Sequence, residues 1–437
     1  MTEGRPEASE EGTEGGAQAP APLSIRKNML WNSFGSLANL ACQYLIGIVI
    51  VRLSDGFGAA GVYSLALSVY YVFSPVAEYR MNTIQVSDVR DEHSTGEYLA
   101  FRLLTCGAGL VLSTGYAMLT CADDAWASIF LFVLYRYVMV VLGVFHSCCQ
   151  QNMRMDYIGI SSLLQGVVSL GVFVVAFRLT RSLELTLSLM TLSMVAIGVA
   201  YTYPRARRFG PIRLGISWHD ARTLLVSCAP IVIGGIMFNA AGSAPKQYLS
   251  TALGADALGA YASVSQPVAI IQMGASYVYL PLLGYFSRAH AEGRRSRFLR
   301  LLARTTAGLL LVFVACSVGL GLLGEPVLVL LCGEVIRPYT YLLQPLALYI
   351  ACSASVSFLS DLAVALRHFG ASFVGSAVQL AVTLALMGPV IDSLGMVGAS
   401  VVGIAASCAA IVVIVLLLLV RLRGSFGDEG ERGDSAS

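Results

Sequence analysis

Charge is what this 437-residue sequence has least of. Only 12% of its residues are Asp, Glu, Lys or Arg, about half the share of an ordinary globular chain, whereas 56% are hydrophobic. A soluble core could not absorb that much apolar sequence, but a bilayer could. Lysine is nearly absent, at 2 residues against 26 arginines, and the net charge of +2 gives no basis for electrostatic capture of nucleic acid. There is no C-x-x-C pair. The ten cysteines sit mostly inside apolar runs, Cys42, Cys106, Cys228, Cys316, Cys352 and Cys408 among them, and the adjacent Cys148 and Cys149 have no partner at ligand spacing. They read as small hydrophobes, and neither a metal site nor a disulfide framework is expected. A Walker loop, a DxD loop site and any nucleophile–base spacing are also absent, so no catalytic residue is assigned and the chain is not expected to be an enzyme.

What is present is a series of apolar runs long enough to cross a hydrocarbon core, which takes about 20 residues. Uncharged runs occupy 28–51, 56–77, 103–122, 157–177, 185–204, 223–245, 257–287, 305–324, 338–360, 369–391 and 393–420, and 126–147 is apolar throughout except for Arg136. Twelve transmembrane helices are predicted. The run 257–287 is too long for one upright span and should project beyond the bilayer. The apolar stretch within 324–339 is too short to span and should pack at the outer face. Residues 1–24 and 424–437 are polar and glycine-rich, and they read as disordered tails rather than as a signal peptide.

The basic residues test that count, because Lys and Arg stay on the cytoplasmic side. With both ends inside, the tails and the loops 78–102, 148–156, 205–222, 288–304 and 366–368 hold 22 of the 28 basic residues. Arg52, Arg178, Arg181, Lys246 and Arg337 fall outside, and Arg136 is left in the membrane. Trp31, Trp126 and Trp218 lie beside predicted span ends, where indole rings prefer to sit. All loops are short, which leaves no extramembrane domain.

One phrase is written twice. "LSDGFGAAGVYSLALS" at 53–68 is answered by "LSTALGADALGAYASVS" at 249–265, with Gly61 and Tyr63 matching Gly259 and Tyr261. The copies occupy the turns after the first and seventh spans, six helices apart and so on the same side. A parallel duplication follows, with an amino-terminal bundle at 25–204, a cytoplasmic linker at 205–222 and a carboxyl-terminal bundle at 223–423, related by an axis along the membrane normal. Small residues at such turns let backbones approach closely. The fold expected is an all-α polytopic membrane protein of two pseudo-symmetric six-helix bundles, the plan of a transporter working by alternating access.

Charge inside a membrane is costly, by roughly 2.5–3.5 kcal/mol on insertion scales, and asks for a reason. Arg136, in "LFVLYRYVMVV", lies near the middle of the fourth span. It is read as an anion-binding group in a central cavity, since guanidinium pairs bidentately with phosphate or carboxylate; the competing reading is a structural ion pair. Lys246 sits towards the outer end of the seventh span and Arg52 near the outer end of the first. Either could anchor at the interface or face a substrate. Glu78 and Arg80 close the second span at the inner face, and Asp361 is read as a local ion pair with Arg367. No predicted span carries Asp, Glu or His at its centre, so the acid expected of a cation-coupled exporter is not visible.

The loop "RMNTIQVSDVRDEHSTGEYLAFR" (80–102) resembles that of Wzx-like oligosaccharide flippases in the multidrug/oligosaccharidyl-lipid/polysaccharide (MOP) exporter superfamily. "NMLWNSFGSLANLACQYL" followed by "GAAGVYSLALS" is similar to that family's first hairpin. "HSCCQQNMRMDYIGIS" (146–161) is similar to its loop between helices four and five, and "APKQYLSTALGADALGAYA" to its turn between helices seven and eight. The resemblance runs from about residue 25 to 423. It implies a multi-pass protein of the bacterial cytoplasmic membrane that moves a polyprenyl-diphosphate-linked oligosaccharide outward for surface polysaccharide assembly. It would use no cofactor beyond a coupling ion, H⁺ or Na⁺, and would act beside other polysaccharide-assembly proteins. On this reading Arg136, Lys246 and Arg52 would meet the diphosphate. Glu78, Arg80, Asp88, Gln150, Arg154 and Asp156 would serve gating or loop roles at the cytoplasmic face. Where many relatives carry an acid before the basic residue of helix seven, this chain has Ala244-Pro245, which bears against a counter-ion site there. The alternatives are a cation-coupled multidrug exporter of the same superfamily and, from another class, a polysaccharide polymerase, which would show a large outer loop. A lipid II flippase would bring fourteen helices.

Overall fold

The computed structural model describes residues 20–54, 56–88 and 92–434, with backbone alone at 295 and 422–434. Twelve helices in it are long and apolar enough to cross a membrane: α1 (Ile25–Leu53), α2 (Gly58–Ser87), α3 (Thr95–Thr120), α4 (Asp123–Gln151), α5 (Met155–Thr180), α6 (Leu183–Phe209), α7 (Trp218–Leu253), α8 (Ala255–Ala291), α9 (Ser296–Cys332), α10 (Glu334–Ala365), α11 (Phe369–Leu394) and α12 (Met396–Arg421). This is a multi-pass membrane protein. An even number of spans puts both ends of the chain on one face, called here the basic face because its connections carry most of the arginines.

The spans agree in number and order with the hydropathy reading, and several boundaries move outward. The stretch 324–332 is no separate outer segment but the last turns of α9, which continue through Pro326 to Cys332. At 37 residues α9 runs about 55 Å, well beyond a hydrocarbon core of about 30 Å. The long run in α8 is accommodated by interruptions after Val268, where Pro267 precedes, and at a 3₁₀ turn, Leu280–Leu282, around Pro281; each proline removes one ladder donor. Because α6 reaches Phe209 and α7 starts at Trp218, the connection between the bundles shrinks to 210–217. The tail expected over 424–437 is corrected for most of its length, since helical backbone continues to Asp434; extending a formed helix adds one hydrogen bond per residue fixed. Residues 435–437 and 1–19 of the two expected tails lie outside the described residues, as do 89–91 of the loop at 78–102.

The duplication is visible in the backbone. Met153 (φ 53°) and Arg367 (φ 60°) are left-handed residues two positions ahead of α5 and α11. In each turn the next amide reaches back to close the preceding helix, Arg154 N to Cys149 O (2.9 Å) and His368 N to Ala363 O (2.7 Å). At the same offset in the chain, Ser162, Gln165 and Ser169 of α5 match Ser376, Gln379 and Thr383 of α11, and all six are buried. Within the amino-terminal bundle α1 lies against α5, where a Cβ on Gly35 would fall 2.1 Å from the Gly159 carbonyl oxygen. Only glycine permits that approach.

The core tells how the halves sit. Towards the face opposite the chain ends, a single apolar cluster draws on both bundles, with Ile50, Tyr63 and Phe132 from one and Tyr261, Leu328 and Val402 from the other. Towards the basic face it divides. One cluster gathers Tyr79, Phe101 and Phe145 with the start of α7, and the other gathers Tyr279, Phe286, Phe298 and Phe358. The bundles are joined at one end and splayed at the other.

Candidate translocation cavity

Between the splayed ends lies a cavity of about 900 Å³, near the top of the usual range of about 300–1,000 Å³ for ligand sites. α2 contributes Ser74, Glu78, Arg80, Asn82 and Thr83, and α7 contributes Phe238 and Asn239. Gln272 and Tyr279 come from α8, Ser357, Ser360 and Asp361 from α10, and Phe369, Ser372, Phe373 and Ser376 from α11. Hydroxyl, amide and aromatic groups alternate with aliphatic ones, among them Ile231 and Val232 of α7, Val364 of α10 and Val374 of α11. Asn239 Nδ2 donates to the Tyr71 carbonyl across the bundles (2.8 Å), which leaves its amide oxygen available. Tyr279 OH donates to Asp361 Oδ2 (2.9 Å). The ion pair expected between Asp361 and Arg367 does not form, because Asp361 turns into the cavity towards α8.

At the cavity mouth α2 is broken. Tyr79 (φ 41°, ψ 30°) and Arg80 (φ 58°, ψ 10°) are consecutive left-handed residues, each costing about 1–2 kcal/mol for a side-chain-bearing residue. Arg102 of α3, fully buried, holds this break. Its Nη1 donates to the carbonyls of Ala77 (3.1 Å) and Glu78 (2.5 Å), its Nη2 to Asn82 Oδ1 (2.6 Å), and Thr105 Oγ1 adds a bond to Ala77 O (3.0 Å). Sequence reasoning counted Arg102 with the loop residues. Its place about two turns inside an apolar helix, in "YLAFRLLTC", is the signal the sequence offers. The structural Asn239, Gln272 and Tyr279 were missed because amides and phenols on apolar helices stand out in no pattern.

None of the three expected anion contacts lines this cavity. Arg136 lies on α4 with its Cζ 4.7 Å from the Tyr70 ring centroid, its Nε unpartnered, and no ion pair among the described residues. Arg52 is engaged at the opposite face, where its Nε donates to Leu331 O (2.8 Å) and its Nη2 to Leu330 O, capping α9. Lys246 makes no hydrogen bond or ion pair among the described residues, while its neighbour Gln247 accepts from Tyr116 OH (2.5 Å), joining α3 to α7. Of the six residues expected at the cytoplasmic face, Glu78 and Arg80 line the cavity. The other four serve the loops. Asp88 accepts from the amides of Glu92 and His93 and from Tyr98 OH (2.9 Å). Arg154 and Asp156 form a two-bond pair of 2.9 and 2.8 Å under the Tyr157 ring. The Gln150 carbonyl accepts from the amides of Asn152 and Met153, closing the end of α4. Near the same face His93, Glu97 and Asp220 bring possible ligand atoms within 4.8 Å of one another, yet both carboxylates already serve as helix caps, with Ser94 and Ser217.

The cavity lining stops at Ser74 of α2 and Gln272 of α8, and nearer the opposite face the two copies of the repeated phrase meet. A Cβ on Gly61 would lie 1.9 Å from the Ala255 carbonyl oxygen, and one on Gly259 would lie 2.1 Å from that of Phe57. Phe57 also packs edge-on against Tyr339 at 5.4 Å between ring centroids. The opposite face is closed and the basic face open.

No protein-family model and no curated protein matches this chain. Among solved structures it is similar to a multidrug resistance MATE family transporter of the MOP superfamily in an inward-facing conformation, at TM-score 0.69 and 12% identity over 91% of this chain and 98% of that one. It is also similar to the lipid II flippase MurJ in an inward closed conformation, at TM-score 0.69 and 11% identity over 89% and 87%. A third is a MOP superfamily transporter from Pyrococcus furiosus, at TM-score 0.58 and 13% identity over 95% and 99%. The chain has the twelve-helix, two-bundle fold of MATE/MOP-type transporters. At these identities the likeness is one of fold.

Proposed function

We propose that the protein is a flippase that moves a polyprenyl-diphosphate-linked oligosaccharide across the bacterial cytoplasmic membrane for surface polysaccharide assembly, by alternating exposure of the cavity between its bundles. The observation that carries this reading is the cavity lining. Asn239, Gln272, Ser357, Ser360 and Ser372 are neutral hydrogen-bonding groups suited to sugar hydroxyls, interleaved with the rings of Phe238, Tyr279 and Phe373 that suit the apolar faces of pyranoses. The mouth is on the basic face, the cytoplasmic side by the positive-inside rule, where lipid-linked sugars are built. The polyprenyl tail would remain in the bilayer while the head group crosses, and an ion gradient would drive the return.

In proteoliposomes carrying a fluorescent polyprenyl-diphosphate oligosaccharide, the wild-type protein should make inner-leaflet probe accessible to an external quencher. Asn239→Leu should slow this by about tenfold or more, equivalent to about 1.4 kcal/mol, at unchanged protein abundance. Wild-type vesicles that move no labelled lipid would sink the reading. A second reading, export of an organic cation, is favoured by the carboxylates of Glu78 and Asp361 in the same cavity; it predicts uptake of a lipophilic cation into these vesicles, lost in Glu78→Gln.

A further inference from the structure

Forty-three glycines are available to this chain, yet the two left-handed positions that break α2 carry a tyrosine and an arginine. A strained backbone persists only where something over-determines it, and the strain is then a pointer to function. Tyr79 explains itself. It is buried, stacks edge-on with Phe101 at 5.6 Å, and donates from its hydroxyl to Leu225 O (2.8 Å), tying α2 to α7. Arg80 has no such explanation. Its side chain is exposed and lines the cavity, where it makes no hydrogen bond or close ion pair among the described residues and shares only a longer-range attraction with the carboxylates of Glu78 and Asp361. It is also the one basic residue in the described cavity lining.

The turn that presents it is held with care. Arg102, fully buried in α3, donates to the two carbonyls immediately before the break and to the Asn82 side chain immediately after it. A buried guanidinium spent on clamping a turn, and an exposed one presented into the cavity on that turn, make one device. We propose that Arg80 is the cavity's contact for a phosphate-bearing head group, presented by the strained turn, and that Arg102 is its positioning residue. Guanidinium suits this ligand because two of its N–H groups can engage two phosphate oxygens at once. The proposal rests on the lipid-linked reading of the cavity and assigns the diphosphate end of that substrate to the mouth, with the sugars above it.

The test uses full-length protein in neutral detergent and a fluorescent polyprenyl diphosphate as probe. Arg80→Gly removes the guanidinium and also relieves the left-handed strain, so its melting midpoint should equal or exceed that of wild type while probe affinity falls at least tenfold. Arg80→Lys, a point charge without the fork, should fall between. Arg102→Lys cannot reach all three acceptors; it should weaken binding several-fold in the wild-type background and have no further effect in Arg80→Gly, a non-additivity that a merely structural role would not produce. Displacement of the probe by inorganic pyrophosphate assigns the site to the substrate's diphosphate. Displacement by phosphatidylglycerol alone assigns the same anion contact to a bilayer phospholipid. Wild-type affinity in Arg80→Gly, or an additive double variant, would overturn the proposal. If Asn239→Leu abolishes lipid movement while Arg80→Gly leaves it intact, the Arg80 assignment fails and the flippase reading stands. If neither slows it, both cavity assignments fail, and if the wild-type protein moves no lipid the flippase reading itself fails.

Discussion

Arg52, Arg80, Arg102 and Arg136 look alike in a sequence of 26 arginines, and the fold gives each a different task. Position along a span could be read from hydropathy, which puts Arg136 near the middle of α4. What occupies a guanidinium could not, because its partners are backbone carbonyls and ring faces contributed by other helices. Arg52 shows the difference. Its two bonds to the last carbonyls of α9 complement the negative end of that helix and join the first helix of one bundle to the third of the other. Arg52→Ala should destabilise closure of the opposite face by about 1 kcal/mol, since such bonds are partly solvated, or roughly fivefold in the closed-to-open ratio. Cys332, buried at the end of α9, reports this directly. Its alkylation by a membrane-impermeant maleimide, followed by mass spectrometry, should rise about fivefold in the variant; no change would mean that the cap does not contribute to closure.

Among the helices, the repeated phrase was legible as a duplication but not as a contact. Two stretches alike in sequence can occupy equivalent places without touching, and nothing in either copy states that the symmetry axis runs between them. The structure puts Gly61 against Ala255 and Gly259 against Phe57, so the duplicated turns are also each other's partners. The element ends were less legible for a plain reason. Hydropathy marks where a helix enters the bilayer and is silent once α8 and α9 leave it. Two glycine contacts of the same chemistry should therefore behave differently on substitution. Gly159→Val sits between α1 and α5 of one bundle and should cost folded protein, by about 1–3 kcal/mol from overpacking, with the closed-to-open ratio of the survivors unaltered. Gly61→Val sits between bundles that the proposed alternating exposure requires to part. It should leave the melting midpoint nearly unchanged and shift the population towards an open opposite face, read as a ten- to hundredfold rise in Cys332 alkylation. Equal loss of folded protein in both variants would show that the Gly61 crossing is a permanent joint and not a gate.

For the molecule as a whole, the decisive feature is that one apolar core joins the bundles at one face, whereas at the other the core is divided and only the start of α7 packs against the amino-terminal bundle. A body built this way has two places to hinge and one to open. On the proposed flippase reading, transport would require the contacts among Phe57, Gly61, Gly259 and Tyr339 to break while those flanking the cavity mouth form. Both sets cannot be satisfied at once, because the same α2, α7 and α8 serve each of them. Fastening the closed face should therefore stop transport without harming the cavity. The rings of Phe57 and Tyr339, 5.4 Å apart, mark where to fasten it. In Phe57→Cys/Tyr339→Cys, a short reducible bis-thiosulfonate should abolish lipid movement in proteoliposomes, with recovery on adding reductant. Each single variant and the wild-type protein, treated alike, control for the native cysteines. Probe binding from the basic face should survive the bridge, because the cavity and Arg80 remain open to that side. Continued lipid movement through the bridged protein would mean that the head group leaves by a path other than the gap between the repeated turns.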